Sequence, residues 1–243
     1  MSDAIRRQVR FHLAALKAAG VEFVPRPDES PIPVPGPDAE PAAEPTDDRR
    51  VALDLLASEV AKCDRCPELF ATRTQTVFGV GPLSPDLCFV GEAPGGDEDR
   101  LGEPFVGAAG QLLNKIISAM GLSRSDVYIF NTIKCRPPGN RQPAASETAN
   151  CRGFFDRQME LVAPRVICCL GGVAAKHLLK TPIGITKLRG KFHDYHGIPL
   201  MPTYHPSYLL RIPDPAAQQK AKGEVWDDMK QILRKLGRPV PGK

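Results

Sequence analysis

The rhythm of hydrophobic and polar positions changes twice along the chain. Residues 4–20 place Ile5, Val9, Leu13 and Leu16 at helical spacing, which predicts a short helix within residues 1–24. Pro25 to Pro45 then carries eight prolines among Asp, Glu and Ala. Such a stretch cannot bury apolar surface and predicts an extended, disordered linker over residues 25–48. From residue 49 onward, short apolar runs alternate with amphipathic ones. Leu87–Val90, Val127–Ile133, Val166–Leu170 and Ile198–Thr203 read as strands. Val51–Val60, Gln111–Met120, Ser146–Val162, Val173–Leu179 and Ala216–Leu236 read as helices. The alternation predicts one α/β domain over residues 49–243. Its architecture would be a three-layer α/β/α sandwich around a central, mostly parallel, four-stranded sheet. Ligands of such sheets bind beyond the carboxyl ends of the strands. Gly91-Glu92, Asn131, Gly171-Gly172 and Tyr204-His205-Pro206 all lie there.

Composition narrows the class. Of 243 residues, 42% are hydrophobic and 25% charged, as in a soluble globular protein. No apolar run approaches the roughly 20 residues of a membrane helix. The segment Met1–Arg7 lacks the apolar stretch of a secretory signal, so a cytoplasmic location is expected. Seven cysteines are then expected as reduced thiols or metal ligands. Net charge is +4, unevenly spread: residues 1–48 hold 5 Lys/Arg against 9 Asp/Glu, and the rest holds 27 against 19. A basic core suits a polyanionic partner such as nucleic acid, although many soluble domains reach that charge without one.

Three motifs carry candidate chemistry. The first is Gly91-Glu92-Ala93-Pro94-Gly95-Gly96, running on to Pro104-Phe105-Val106-Gly107. Its glycines allow close backbone approach, and it holds five acids (Glu92, Asp97, Glu98, Asp99, Glu103) and an aromatic ring. It reads either as a plain strand-to-helix loop or as a place for chemistry on a flat polar molecule. The second is Cys63-x-x-Cys66, followed downstream by Cys135 and Cys151. Four thiolates can hold zinc or an iron–sulfur cluster, and two inert thiol pairs are the alternative. Cys88, Cys168 and Cys169 fall inside strand-like runs and read as small core residues. The third is His205-Pro206-Ser207-Tyr208-Leu209-Leu210-Arg211. The proline fixes the histidine's surroundings. The two leucines beside a cation read either as a wedge for base steps or as a buried pair opening a helix.

Taken in order, these blocks and Asn131-Thr132-Ile133-Lys134-Cys135-Arg136-Pro137 resemble the family 4 uracil-DNA glycosylases, the type that carries a 4Fe-4S cluster. The resemblance covers roughly residues 50–236 and leaves the leader outside. It implies a uracil-DNA glycosylase-like fold and a monofunctional enzyme. Such an enzyme hydrolyses the deoxyuridine N-glycosidic bond, releases uracil and leaves an abasic site, starting base excision repair. It also implies residue roles. Phe105 would stack on uracil, Asn131 would read its Watson–Crick edge, and Gly91 and Ala93 would line the pocket. His205 would donate to O2, Glu92 would position or activate water, and Glu98 would lie near C5. Tyr208, Leu209, Leu210 and Arg211 would intercalate or hold phosphate. Cys63, Cys66, Cys135 and Cys151 would ligate a structural cluster. The partner would be uracil-containing DNA, double- and single-stranded, met by a monomer in the nucleoid, without a membrane.

Two departures matter. Ala108 stands where many relatives carry a basic residue. Arg136–Pro143 contains no His, which disfavours the covalent capture seen in a related branch. His193 and His196 read as surface residues. A non-catalytic iron–sulfur DNA-binding scaffold and a zinc module stand as competing classes. Intact Glu92, Asn131 and His205 argue against the scaffold, and a brown colour would separate the cluster from zinc.

Overall fold

A computed structural model describes residues 48–242. The expected N-terminal helix, and the expected linker up to residue 47, lie outside the described residues. Strands β1 (Leu87–Gly91), β2 (Val127–Asn131), β3 (Val166–Leu170), β4 (His193–Tyr195) and β5 (Ile198–Thr203) form one sheet. Their order is β2-β1-β3-β5-β4, parallel except for the β4·β5 pair. The mostly parallel sheet was expected, but it has five strands rather than four. β4 is only three residues long, too short to show a period. It exists because His196 and Gly197, both at positive φ (+50° and +85°), close a two-residue hairpin onto β5. His193 is therefore no free surface residue: its Nε2 lies 2.9 Å from the Leu188 carbonyl.

Strands β1, β2 and β3 are buried at every position, because helices cover both sheet faces. Alternate residues feed two cores. Phe89, Ile129 and Cys168 join one with α4 (Ala108–Ala119) and α9 (Pro215–Lys235). Val90, Phe130 and Cys169 join the other with α5 (Ala145–Val162) and α6 (Gly172–Leu179). The three strand cysteines are thus core residues, as their apolar neighbours implied. Helix α1 (Asp48–Ala61) packs on α5 and leads, past Cys63 and Cys66, into α2 (Pro67–Thr72). The short helices α3 (Gly96–Leu101), α7 (Ile185–Leu188) and α8 (Pro206–Arg211) sit in the connecting loops.

Sheet register sets up the site. Gly91 pairs with Asn131 and Leu170 with Thr203, so four strand ends meet on one edge. β2 ends at Asn131, two residues before the apolar run does. Thr132 and Ile133 turn aside to donate their N–H groups to the Gly91 and Glu92 carbonyls (2.9 and 3.3 Å). Across the sheet, the Gly171 N–H donates to the Thr203 carbonyl at 2.9 Å.

Candidate active site

The turn after β1 is built for close approach. A Cβ on Gly91 would strike the Asn131 Oδ1 and lie 2.6 Å from the Phe105 ring. Only glycine leaves room there for the three residues to converge. Asn131 is 1% exposed, and its Oδ1 has no hydrogen-bond partner among the described residues. A buried carbonyl oxygen left without a donor carries a free-energy cost that a donating ligand removes. Beside it, the Glu92 main chain is pinned: the Thr132 hydroxyl donates to its carbonyl at 2.6 Å. The Glu92 carboxyl group has no partner among the described residues, and burial raises its pKa above the ordinary carboxylate value. Ala93 follows in the same turn, partly exposed.

Phe105 is held from several sides. Its φ of +53° lies in the left-handed region, and Gly110 of α4 presses on its backbone without room for a side chain. Arg124 braces the same loop, donating to Glu103 Oε1 at 2.9 Å and to the Pro104 carbonyl. Glu98 corrects the expectation placed on it. Its Oε1 accepts from the Val106 and Gly107 N–H groups (2.9 and 3.0 Å), and its Oε2 accepts from Gly95 N–H (3.1 Å). The carboxylate ties the glycine turn to the Phe105 loop, so it is neither a solvated acid nor a free group beside a base. Asp99 acts similarly, accepting the Thr74 N–H on both oxygens (3.0 Å each).

His205 caps α8. The Ser207 N–H donates to its Nδ1 at 3.1 Å, and the Ser207 hydroxyl lies 2.8 Å from the same atom. A backbone amide can only donate, so Nδ1 is the acceptor and the neutral ring carries its proton on Nε2. The residue keeps a solvent-facing edge, but its ring is enclosed. Burial first, and Arg211 second, pull its pKa down to about 4. Gly171, at φ +92°, lets the chain pass close beneath, since a Cβ there would lie 3.1 Å from the His205 Cβ. The Phe105 and His205 rings stand 5.6 Å apart at 33°.

The leucine pair separates by face. Leu209 is 1% exposed and belongs to the core beneath α8, so it is not a wedge. Leu210 is 46% exposed and Tyr208 44%, beside the exposed Arg211. Arg211 donates to the Ser207 hydroxyl at 3.3 Å.

The four candidate ligand cysteines lie near one another, with Cys63 and Cys66 beside Cys135, and Cys135 and Cys63 beside Cys151. All are reduced and half-buried. Burial pushes the Cys135 thiol up, and the Cys63 and Cys66 sulfurs push it further. Cys151 is pushed up to about 11 by burial, with smaller contributions from Cys135 and Cys63. Two donors already aim at sulfur: Arg73 at Cys135 Sγ (3.1 Å) and Asn150 at Cys66 Sγ (3.5 Å). Among the described residues, no three His, Cys, Asp or Glu side chains are grouped to hold a single metal ion. Four neighbouring thiols with N–H donors suit a larger, sulfur-rich group.

Three contributors escaped the sequence reading. Ser207 was legible only as part of a motif, because the group that orients His205 is its backbone N–H, which its identity does not mark. Gly110 reads as an ordinary helix residue until its contact with Phe105 is seen. Lys134 is 1% exposed; its Nζ donates to the Asn131 carbonyl at 2.8 Å and lies 4.4 Å from the Phe130 ring centroid. Among the described residues, no helix is long and apolar enough to cross a membrane.

Comparison with known proteins shows which proteins the chain is similar to. The model of the uracil DNA glycosylase superfamily matches residues 78–230. The type-4 uracil-DNA glycosylase of Thermotoga maritima is 44% identical over 165 residues, 67% of this chain and 85% of that protein. That of Archaeoglobus fulgidus is 38% identical over 198 residues, 78% and 96% of the two chains. A type-5 enzyme of Pyrobaculum aerophilum is 32% identical over 191 residues, 64% and 83% of the two chains.

Proposed function

Because this chain belongs to the uracil-DNA glycosylase superfamily, alongside its type-4 members, we propose that it hydrolyses the bond between uracil and deoxyribose in DNA, leaving an abasic site. The observation that carries this reading is the buried, unpartnered Oδ1 of Asn131, set against Phe105 and Gly91. Uracil N3–H is a donor that would satisfy it, while the Asn131 amide donates to O4. Cytosine offers an acceptor at N3 and a donor at N4, and would leave both Asn131 groups mismatched in a dry pocket.

The remaining residues fall into roles. The deoxyuridine must leave the base stack, and Phe105 supplies a fixed ring for its face. Leu210, with Tyr208, enters the space it vacates, and Arg211 holds a phosphate. Bond cleavage puts negative charge on uracil O2 and positive charge on the sugar. His205 meets the first with a neutral Nε2–H whose orientation Ser207 fixes. The Gly91–Ala93 turn lines the same pocket. Glu92 orients the attacking water and, as a carboxylate, stabilises the cationic sugar. Cys63, Cys66, Cys135 and Cys151 would hold a 4Fe-4S cluster. When bound, it pins the segment after α1 to the start of α5, and it takes no part in the hydrolysis. Among the described residues, Lys134, the lysine beside Asn131, is committed to the Asn131 carbonyl and offers the sugar no Schiff-base nucleophile. Strand scission is therefore not part of the reaction. We extend the reading to single- and double-stranded DNA and to a monomer acting in the nucleoid.

The test is incubation of brown, cluster-loaded protein with labelled oligonucleotides carrying U:G, U:A or unpaired uracil, followed by alkali and by assay of free uracil. Cleavage at uracil only after alkali is expected. DNA binding without uracil release would overturn the reading in favour of a scaffold.

A further inference from the structure

The loop Arg136–Gln142 follows the β2 end that carries Asn131. We infer that Arg136 is a second DNA-phosphate site, holding the strand on the side of the flipped nucleotide opposite Arg211. The inference rests on the uracil-DNA reading above.

Its position follows from the fold. The sheet order puts the segment leaving β2 on one side of the β1 turn and the segment leaving β5 two strands away on the other. Arg211 belongs to the second segment and Arg136 to the first. A Cβ on Gly96, four residues after Glu92, would lie 3.4 Å from the Arg136 guanidinium carbon. The cation therefore stands against the glycine turn that carries the water-positioning carboxylate. An extruded nucleotide keeps a phosphodiester on each side, so two cations on opposite rims match it.

Its chemistry follows from how the neighbouring cations are used. Arg124, Arg141 and Arg100 pair with Glu103, with Glu68 and Glu147, and with Asp97. Arg73 donates to Cys135 and to the Ala61 carbonyl. Arg136 donates only through Nε, to Asn140 Oδ1 at 2.7 Å. Among the described residues, its two terminal nitrogens have no hydrogen-bond or ion-pair partner. The loop is shaped for this clamp. Gly139 and Asn140 both adopt positive φ (+62° and +56°), a region that glycine and asparagine tolerate, and this turns Asn140 back toward Arg136. The foot of the loop is anchored by Arg141, at 2.7 Å from both Glu68 and Glu147. A guanidinium fixed at Nε and open at both terminal nitrogens presents the fork that grips two oxygens of one phosphate.

The experiment measures binding and single-turnover uracil release for the full chain and for Arg136→Gln, Arg136→Lys and Asn140→Ala. Substrates are an all-phosphate uracil oligonucleotide and two versions with one neutral methylphosphonate, 5′ or 3′ of the uracil. Arg136→Gln should weaken binding by about tenfold and flatten the slope of log K against log salt by about 0.7–0.9. Its release rate at saturating enzyme should stay within about threefold of wild type. Arg136→Lys should keep the salt slope and lose part of the affinity, and Asn140→Ala should fall between. One methylphosphonate should cost the wild type the same tenfold and cost Arg136→Gln nothing more. Unchanged affinity and slope in Arg136→Gln, in protein with a wild-type melting temperature, would overturn the inference. So would losses that simply add at both methylphosphonate positions. Failure of the underlying reading is distinct: the wild type would then release no uracil at all.

Discussion

His205 offers the sharpest test, because one ring links the fold's stability to the charge the reaction needs. The folded ring takes its proton only near pH 4, whereas an exposed histidine takes it near 6.5. Between those values the unfolded chain binds more protons than the folded one, so stability falls as the pH falls. The effect is absent above about pH 6.5 and complete below about pH 4. At about 1.4 kcal/mol per pH unit, keeping the ring neutral over that span amounts to about 3 kcal/mol. His205→Gln removes the titration while keeping an oxygen that can accept the Ser207 N–H. The assay is urea unfolding of both proteins at half-unit steps from pH 4 to 7.5, with the His205 ring followed by NMR. The wild type should lose about 3 kcal/mol relative to His205→Gln across the window, and the His205 resonance should stay neutral at pH 5.5. A ring titrating near 6.5, or a stability gap that does not change with pH, would refute the neutral-donor argument. The acid limb of the rate profile then belongs to Glu92: activity should fall as the pH drops through its raised pKa, and Glu92→Gln should abolish that limb together with most of the rate.

Other substitutions probe the remaining parts. Leu209→Ala should cost about 3 kcal/mol in denaturant unfolding through a core cavity. Leu210→Ala should leave stability within about 0.5 kcal/mol but slow uracil release from duplex more than from single strands. Gly91→Ala should slow release on the order of 100-fold with stable folding, because its Cβ displaces Asn131 and the Phe105 ring. Asn131→Asp, protonated in its buried position, offers a donor to N3 and an acceptor to N4, so cytosine release should appear in a free-base assay. Absence of cytosine release from a folded, uracil-active variant would count against Asn131 as the reader of the base edge.

The sequence by itself determined the parts whose chemistry is local. Continuous apolar runs marked four strands, because a sheet covered on both faces buries every strand residue. Strand ends followed by Gly, Asn or His-Pro marked the working edge, because parallel sheets gather ligands there. Tertiary structure decided whatever depends on which way a side chain faces. Leu209 and Leu210 are adjacent and chemically identical, and only the packing of α8 on the core buries one and exposes the other. Glu98 resembles Glu92 in sequence, but the folding back of the Phe105 loop spends its carboxylate on three amides. The His205 tautomer depends on one amide of α8. Cys63 and Cys66 come near Cys135 and Cys151 only because α1 packs on α5. β4 is a strand by virtue of a two-residue turn, not of any period of its own. A motif in the chain names the reacting groups, and their directions come from contacts between residues far apart in it.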